Sequence, residues 1–280
     1  MSEQPLTCGQ ALAKAVDRIG GESPRLDAEL LLAEVTGWNR SRFRAFPEAE
    51  LTPDQQAGFW QRVERRASGE PVAHILGHQD FWTLSLEVTP DTLIPRPDTE
   101  CLVEAVLSLP LPLPEKARVM DLGTGTGAIA LALQSEKPDW QVMATDCVPE
   151  AVALARRNAE HCGLPVSVVQ SYWFEGLEHQ HFNLIISNPP YIEEGDHHLG
   201  EGDVRFEPAS ALTSGPDGLD AIRHLVTESQ RWLTPGGWLV LEHGYNQGEA
   251  VRALFRQAGY LEIETRQDYG GNDRLTLGRR

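Results

Sequence analysis

Three glycines separated by single threonines, Gly123-Thr124-Gly125-Thr126-Gly127, join an apolar run, Val119–Leu122, to helix-forming residues that start at Ala128. Glycine lets a chain turn sharply out of a strand and leaves the backbone bare enough for a ligand to approach. A strand entering a helix through such a turn is half of a βαβ unit, and these units build parallel sheets covered on both faces. From about residue 97 the chain keeps that rhythm. A helix is predicted around 98–109, then "ARVMDLG" as a strand and "GAIALALQSE" as a helix. "WQVMATD" and "PVSVVQ" read as strands with the helix "VPEAVALARRNAEHCG" between them, and "FNLIISN" is the next strand. A helix around 218–233 leads through the turn "TPGG" into "WLVLEHG", and "NQGEAVRALFRQAG" precedes two strands ending in "RLTLGR". No helix separates those two, so one runs antiparallel. The pattern predicts an α/β fold with a doubly wound, mostly parallel seven-stranded sheet over residues 97–280.

The first 72 residues predict a small helical-bundle domain. Ser23 is placed to cap a helix opened by Pro24, with Leu26, Leu30 and Ala33 on its apolar side, and Thr52 caps another opened by Pro53. Residues 73–96 are rich in β-formers, and the alternation of Phe81, Leu84, Leu86 and Val88 predicts a β-hairpin joining the two domains.

A formal charge of −17 argues against direct nucleic-acid binding, because neutralised phosphates supply most of that affinity. The Arg40, Arg42 and Arg44 cluster reads as a solvated helix face. No apolar run is long enough to cross a bilayer, and "MSEQPLTCGQ" has neither the basic end nor the apolar stretch of a signal peptide. The expectation is a cytoplasmic protein with no membrane attachment. Cys8, Cys101, Cys147 and Cys162 show neither metal-ligand spacing nor a disulfide framework. Glu193–His198 collects metal-capable side chains, and a hydrated loop is the reading preferred over a metal site.

Asp146 lies 19 residues beyond Gly127, at the end of the second strand, where a carboxylate can accept from both hydroxyls of a ribose. Loop, strand and acid in this order point to a cofactor containing a nucleoside. They leave its identity open, since Gly123, Gly125 and Ala128 also satisfy the dinucleotide pattern G-x-G-x-x-A. Asp121, on the strand leading into the loop, suits a cationic amino-acid group better than a pyrophosphate, which tips the reading towards S-adenosylmethionine.

"ISNPPYI" ends the fourth parallel strand, next to the first, where ligands bind in doubly wound sheets. Prolines stiffen the turn, so the Asn188 side-chain oxygen and the Pro189 carbonyl can form a fixed pair of acceptors for one NH2 group. Tyr191 offers a face for a planar group to stack on. The four residues form a candidate pocket for a planar amide or amine, the alternative being a rigid turn that caps a buried strand.

With these residues assembled, the chain resembles the class I S-adenosylmethionine-dependent methyltransferases, and among them the HemK/PrmC family, which methylates the side-chain nitrogen (N5) of glutamine in peptide chain release factors. "GEPVAHILGHQDFWTLSLEVTPDTLIPRPDTE", "DLGTGTGAIALAL", "SNPPYI", "DVRFEPASAL" and "DYGGNDRLTLGR" carry the resemblance, which covers nearly the whole chain. It implies a Rossmann-like methyltransferase domain and a helical domain, residues 1–72, that docks the substrate. It implies that Gly123, Thr124, Gly125, Thr126 and Gly127 wrap the methionine part of the cofactor. Asp146 would hold the ribose and Trp173 would lie by the adenine. Asn188 would touch both cofactor and target amide, with Pro189, Pro190 and Tyr191 completing the glutamine pocket; Asn188, Pro189 and Tyr191 are the expected catalytic group. The implied partner is a class I release factor, through the glutamine of its Gly-Gly-Gln motif, met by a monomer that uses no metal. The chain departs from the family in having Tyr172 where an Asp is common. Arg96 and Glu100, in the stretch "IPRPDTE", are expected to form a bracing ion pair, and Glu242 and His243 to pack or brace a loop.

Rival functions remain at this stage. A ribosomal-protein glutamine methyltransferase would need nearly the same pocket. A DNA adenine-N6 methyltransferase must flip a base and read DNA, which the charge disfavours. A dinucleotide-dependent oxidoreductase leaves the Asn-Pro-Pro-Tyr turn without a purpose, as does a non-enzymatic binding module.

Overall fold

The computed structural model of the protein describes residues 6–109, 113–200 and 202–280. The first residues of the sequence, on which the signal-peptide reading partly rests, lie outside that range, as does the side chain of His198 in Glu193–His198. The chain forms two compact units, Met1–Gly77 with Glu201–Phe206, and His78–Gly200 with Glu207–Arg280.

The first unit is helical: α1 (Cys8–Ile19), α2 (Pro24–Thr36), α3 (Arg40–Ala45), α4 (Pro53–Ala67) and α5 (Val72–Leu76). Thr7 and Thr52 begin α1 and α4 with reciprocal capping boxes to Gln10 and Gln55, each satisfying backbone donors that the first turn leaves open. Ser23 does not cap α2 through its side chain, contrary to expectation. The face that α2 buries is also displaced from the expected one. Ala28, Leu31 and Leu32 enter the core, while Leu26 is 40% exposed. The helix can turn that way because its two inward carboxylates are paired. Asp27 accepts from Arg66, and Glu29 accepts from Arg25 and Arg40 at 2.7 and 2.6 Å. Arg66 also reaches Asp203, 2.7 Å away.

The second unit opens with an antiparallel hairpin, β1 (His78–Phe81) and β2 (Leu84–Glu87). Then follow α6 (Glu100–Leu107), β3 (Arg118–Leu122), α7 (Ala128–Glu136), β4 (Gln141–Asp146), α8 (Pro149–Cys162), β5 (Ser167–Gln170) and β6 (Phe182–Ser187). The unit ends with α9 (Asp220–Trp232), β7 (Leu233–Glu242), α10 (Gly248–Ala258), β8 (Leu261–Gln267) and β9 (Asp273–Arg279). Seven strands form one sheet in the order β5-β4-β3-β6-β7-β9-β8, with β9 antiparallel to both its neighbours. Side chains alternate cleanly across it. Val119, Leu184, Ile186, Trp238 and Val240 pack in the layer that holds α6, α7 and α8. Met120, Ile185, Leu239 and Leu241 pack with α9 and α10. This two-sided burial explains the nearly continuous apolar runs. The expected "TPGG" turn is a bulge inside β7: Phe182 pairs with Leu233, and the next pair is Leu184 with Trp238. The chain order reverses at β3, whose neighbours are β4 and β6, so a crevice opens at the carboxyl ends of these strands.

Candidate active site

The glycine loop occupies that crevice. Gly123, Gly125 and Gly127 all have positive φ, a backbone region that costs an L-residue about 1–2 kcal/mol. At Gly127, which begins α7, a Cβ would press to 3.2 Å from Leu131 and 3.4 Å from Ala155, so the residue permits both the turn and the close helix packing. Asp146 fixes the loop from outside: its Oδ2 accepts from the Gly125 amide at 2.9 Å and its Oδ1 from the Val148 amide at 3.0 Å. Each oxygen keeps a second lone pair for a ligand. Burial raises its pKa. Asp121 lies wholly buried behind the loop. Its Oδ2 accepts from the Thr124 hydroxyl at 2.6 Å, and its Oδ1 is buried with no hydrogen-bond partner of ordinary geometry among the described residues. Burial pushes its pKa up to about 7, against the pull of Thr124.

A cleft of about 520 Å3 runs along this loop within the second unit. Gly123, Thr124, Gly125, Thr126 and Asp146 line it, as do Trp173, Asn188, Pro190, Thr92 and Thr99. Asp121, Gly127, Pro189 and Tyr191 stand outside that wall. Trp173 holds a left-handed backbone, φ 52, and its ring packs over Gly123, near enough that a Cβ there would meet it at 3.4 Å. Tyr172 is 56% exposed and tilts against Trp173, ring centres 6.1 Å apart.

The Asn-Pro-Pro-Tyr turn is held on every side. The Ser187 hydroxyl donates to the Leu122 carbonyl at 2.6 Å and locks the end of β6 to β3. Asn188 is half-buried, and its Nδ2 donates to the Thr99 hydroxyl at 3.2 Å. That assignment leaves Oδ1 as the end able to accept. Pro189 is buried. The Tyr191 and Ile192 amides both donate to the Leu212 carbonyl, and Gln247 Nε2 donates to the Tyr191 carbonyl at 3.0 Å. Gly218 (φ 70) packs so tightly here that a Cβ would overlap the Tyr191 oxygen. The Tyr191 hydroxyl donates to Glu242 Oε1 at 3.1 Å. Burial, then the Glu242 charge, raises the Tyr191 pKa well above its ordinary value. Burial also pushes Glu242 up to about 7, opposed by Thr99 and Tyr191.

Arg96 and Glu100 do not pair with each other. Arg96 reaches the buried Glu207 at 2.6 Å, and Glu100 accepts the Trp82 amide at 2.7 Å. Glu207 also accepts the Ile94 amide, so it pins the strand-like stretch before α6. His243 is fully buried, its ring nitrogens at 2.9 Å from the Gly244 carbonyl and the Thr276 hydroxyl, and burial lowers its pKa. Both contacts brace the end of β7. Sequence reasoning missed Asn158, which joins the hairpin to the glycine loop. Its Nδ2 donates to the Glu87 and Thr126 carbonyls, and its Oδ1 accepts the Glu87 amide at 2.8 Å. The signal was available: Asn158 stands at helical spacing from Ala151, Leu154 and Ala155 on the buried face of α8, and a lone polar residue on such a face needs partners.

The chain matches the family model for the PrmC N-terminal domain over residues 10–77 and that for the methyltransferase small domain over residues 98–210. It is 54% identical over 271 residues to the release factor glutamine methyltransferase of Salmonella typhimurium, covering 96% of this chain and 97% of that one. It is 55% identical to the enzyme of the same name from Pseudomonas aeruginosa over 91% of this chain and 92% of the other. Among solved structures, a methyltransferase from Pyrococcus furiosus superposes with a TM-score of 0.54 at 20% identity, over 78% of this chain and 98% of its own, a likeness of fold alone. Strand order, loop and turn thus agree with a relatedness that spans both units, and the chain belongs to the release factor glutamine methyltransferase family.

Proposed function

We propose that this protein is an S-adenosylmethionine-dependent methyltransferase that modifies the side-chain nitrogen, N5, of the glutamine in the Gly-Gly-Gln motif of class I peptide chain release factors. The observation that carries the reading is the Asn188 amide, whose NH2 is engaged by Thr99 while its oxygen remains to accept at the wall of a glycine-lined cleft.

The residues fit the cofactor. The glycine loop, with Thr124 and Thr126, would wrap the amino-acid portion. The Asp121 carboxylate, buried behind Thr124 with an unpartnered oxygen, favours a cationic group in front of the loop. Asp146 would hold the ribose hydroxyls, and Trp173 would lie against the adenine with Tyr172 beside it. Bound there, S-adenosylmethionine supplies an electrophilic methyl group on a sulfonium sulfur. The protein has then to present a poor nucleophile. An amide nitrogen is weak because its lone pair is delocalised; Asn188 Oδ1 and the Pro189 carbonyl accept its two N–H bonds and stabilise the positive charge that grows as it attacks. Pro190 borders the amide, Tyr191 braces the turn behind it through Glu242, and proximity supplies much of the rate. The nitrogen sheds its proton after transfer.

Residues 1–72 would dock the release factor, residues 73–96 form the β-hairpin linker, and residues 97–280 carry the chemistry, in a monomer working in the cytoplasm. The test is mass spectrometry of a purified unmodified release factor after incubation with S-adenosylmethionine and the protein. One methyl on the Gly-Gly-Gln glutamine, lost with Asn188→Ala while cofactor binding persists, is the expected result. Label on a ribosomal protein or on DNA instead would refute the substrate.

A further inference from the structure

We infer that Thr99 and Glu242 are positioning residues that decide which end of the Asn188 amide faces the substrate. The inference rests on the methyl-transfer reading above and deepens it.

An asparagine amide is nearly symmetric in shape, and turning it over exchanges an acceptor for a donor with little change in volume. Turned the wrong way, Asn188 would set its NH2 against the NH2 of the glutamine. Something must break that symmetry. Thr99, 5% exposed on the turn Pro97–Thr99 that leads into α6, takes Nδ2 at 3.2 Å. A hydroxyl by itself decides nothing, since it can accept from the NH2 or donate to the oxygen.

Glu242 supplies the missing polarity. It ends β7, is 2% exposed, and its Oε2 makes no hydrogen bond of ordinary geometry among the described residues. The Thr99 hydroxyl favours the charged form of this carboxylate. An ionised carboxylate can only accept. Its charge orients the Thr99 hydroxyl dipole, with the proton towards the carboxylate, which leaves the Thr99 oxygen to accept from Asn188 Nδ2 and so turns Asn188 Oδ1 outwards. The same carboxylate takes the Tyr191 hydroxyl through Oε1. One buried charge thus polarises both the first and the last residue of the Asn-Pro-Pro-Tyr turn. When Glu242 is protonated it can donate to Thr99, the chain of donors reverses, and the wrong end of Asn188 is favoured. The other charged or titratable groups facing Glu242 are Tyr191, Asp98 on the turn before α6 and Arg274 on β9.

The experiment compares wild type, Thr99→Ser, Thr99→Val and Glu242→Gln by kcat and KM for the release factor across pH 5.5–8.5, with S-adenosylhomocysteine affinity and melting measured alongside. Thr99→Ser keeps the hydroxyl and is expected within about threefold of wild type. Thr99→Val keeps the shape and loses the polarity, with kcat/KM down about 10–100-fold and cofactor affinity unchanged. Wild type should lose activity on acidification with a midpoint near neutrality, and Glu242→Gln should lack that limb. Equal activity of the Ser and Val variants, or an acid limb that survives in Glu242→Gln, overturns the inference. Should Thr99→Val fail to fold, the limb in Thr99→Ser against Glu242→Gln decides. A wild type that binds S-adenosylhomocysteine and methylates no release factor overturns the underlying assignment instead.

Discussion

Glu242→Gln also makes a thermodynamic prediction, separate from activity. Burial raises the Glu242 pKa from an ordinary 4.5 to about 7. The folded state therefore holds this proton more tightly than the unfolded chain does. Stability from this group is fully present below pH 4.5 and is lost as pH rises towards 7. Integrated from pH 5 to pH 8, the loss is about 2.5 kcal/mol. Glutamine cannot titrate, so the variant should gain on wild type by that amount over the interval. A glutamine NH2 left poorly paired in this site would cost about 1–3 kcal/mol, but equally at both pH values. The difference between differences isolates the proton. Urea unfolding of both proteins at pH 5 and pH 8, following the transition of the larger unit, measures it. Curves for the two proteins that stay parallel within about 0.5 kcal/mol would mean that burial does not raise the Glu242 pKa, and the acid limb near neutrality expected of the wild type would lose its source.

Gly218→Ala should displace the Tyr191 carbonyl that Gly218 abuts; kcat is expected to fall at least about tenfold, with cofactor affinity nearly intact, as steady-state kinetics and calorimetry would show. Asp146→Asn turns one acceptor into a donor facing the Gly125 or Val148 amide, and calorimetry should find S-adenosylhomocysteine bound about 10-fold or more weakly; unchanged affinity would remove Asp146 from the cofactor site. Glu29→Ala leaves Arg25 and Arg40 without the buried carboxylate they share, and should destabilise the helical unit by about 1–3 kcal/mol in denaturant melts, with no change in the kcat of the other unit.

What could be read in the sequence was what is local. The glycine loop, the alternation of strands and helices, and the placing of Asn188 at a strand end depend on residues within a few positions of one another. The buried face of α2 is not legible from its own residues, because Asp27 can turn inwards only where Arg66, 39 positions beyond it, supplies a partner. Arg96 was matched to its sequence neighbour Glu100, whereas its partner Glu207 lies 111 positions away. Two charges near each other in sequence attract no more than two brought together by the fold, and the fold decides which pair loses water. The acceptors and donors around Asn188 follow the same rule: Thr99 is 89 positions from it, and Glu242 is 51 from Tyr191.

The position of β9 sets an order of events for a chain being synthesised. Strand β8 leaves the ribosome before β9, yet among the described residues β9 is its one neighbour in the sheet, and β9 in turn pairs with the edge of β7 that β6 leaves open. Until Asp273–Arg279 has emerged, the row of amides and carbonyls along β7 has no antiparallel partner, and β8 has nothing to join. A nascent chain stalled just short of this segment would carry an apolar, open-edged sheet, a template for pairing with other chains. Closure of this sheet therefore waits on the emergence of Asp273–Arg279.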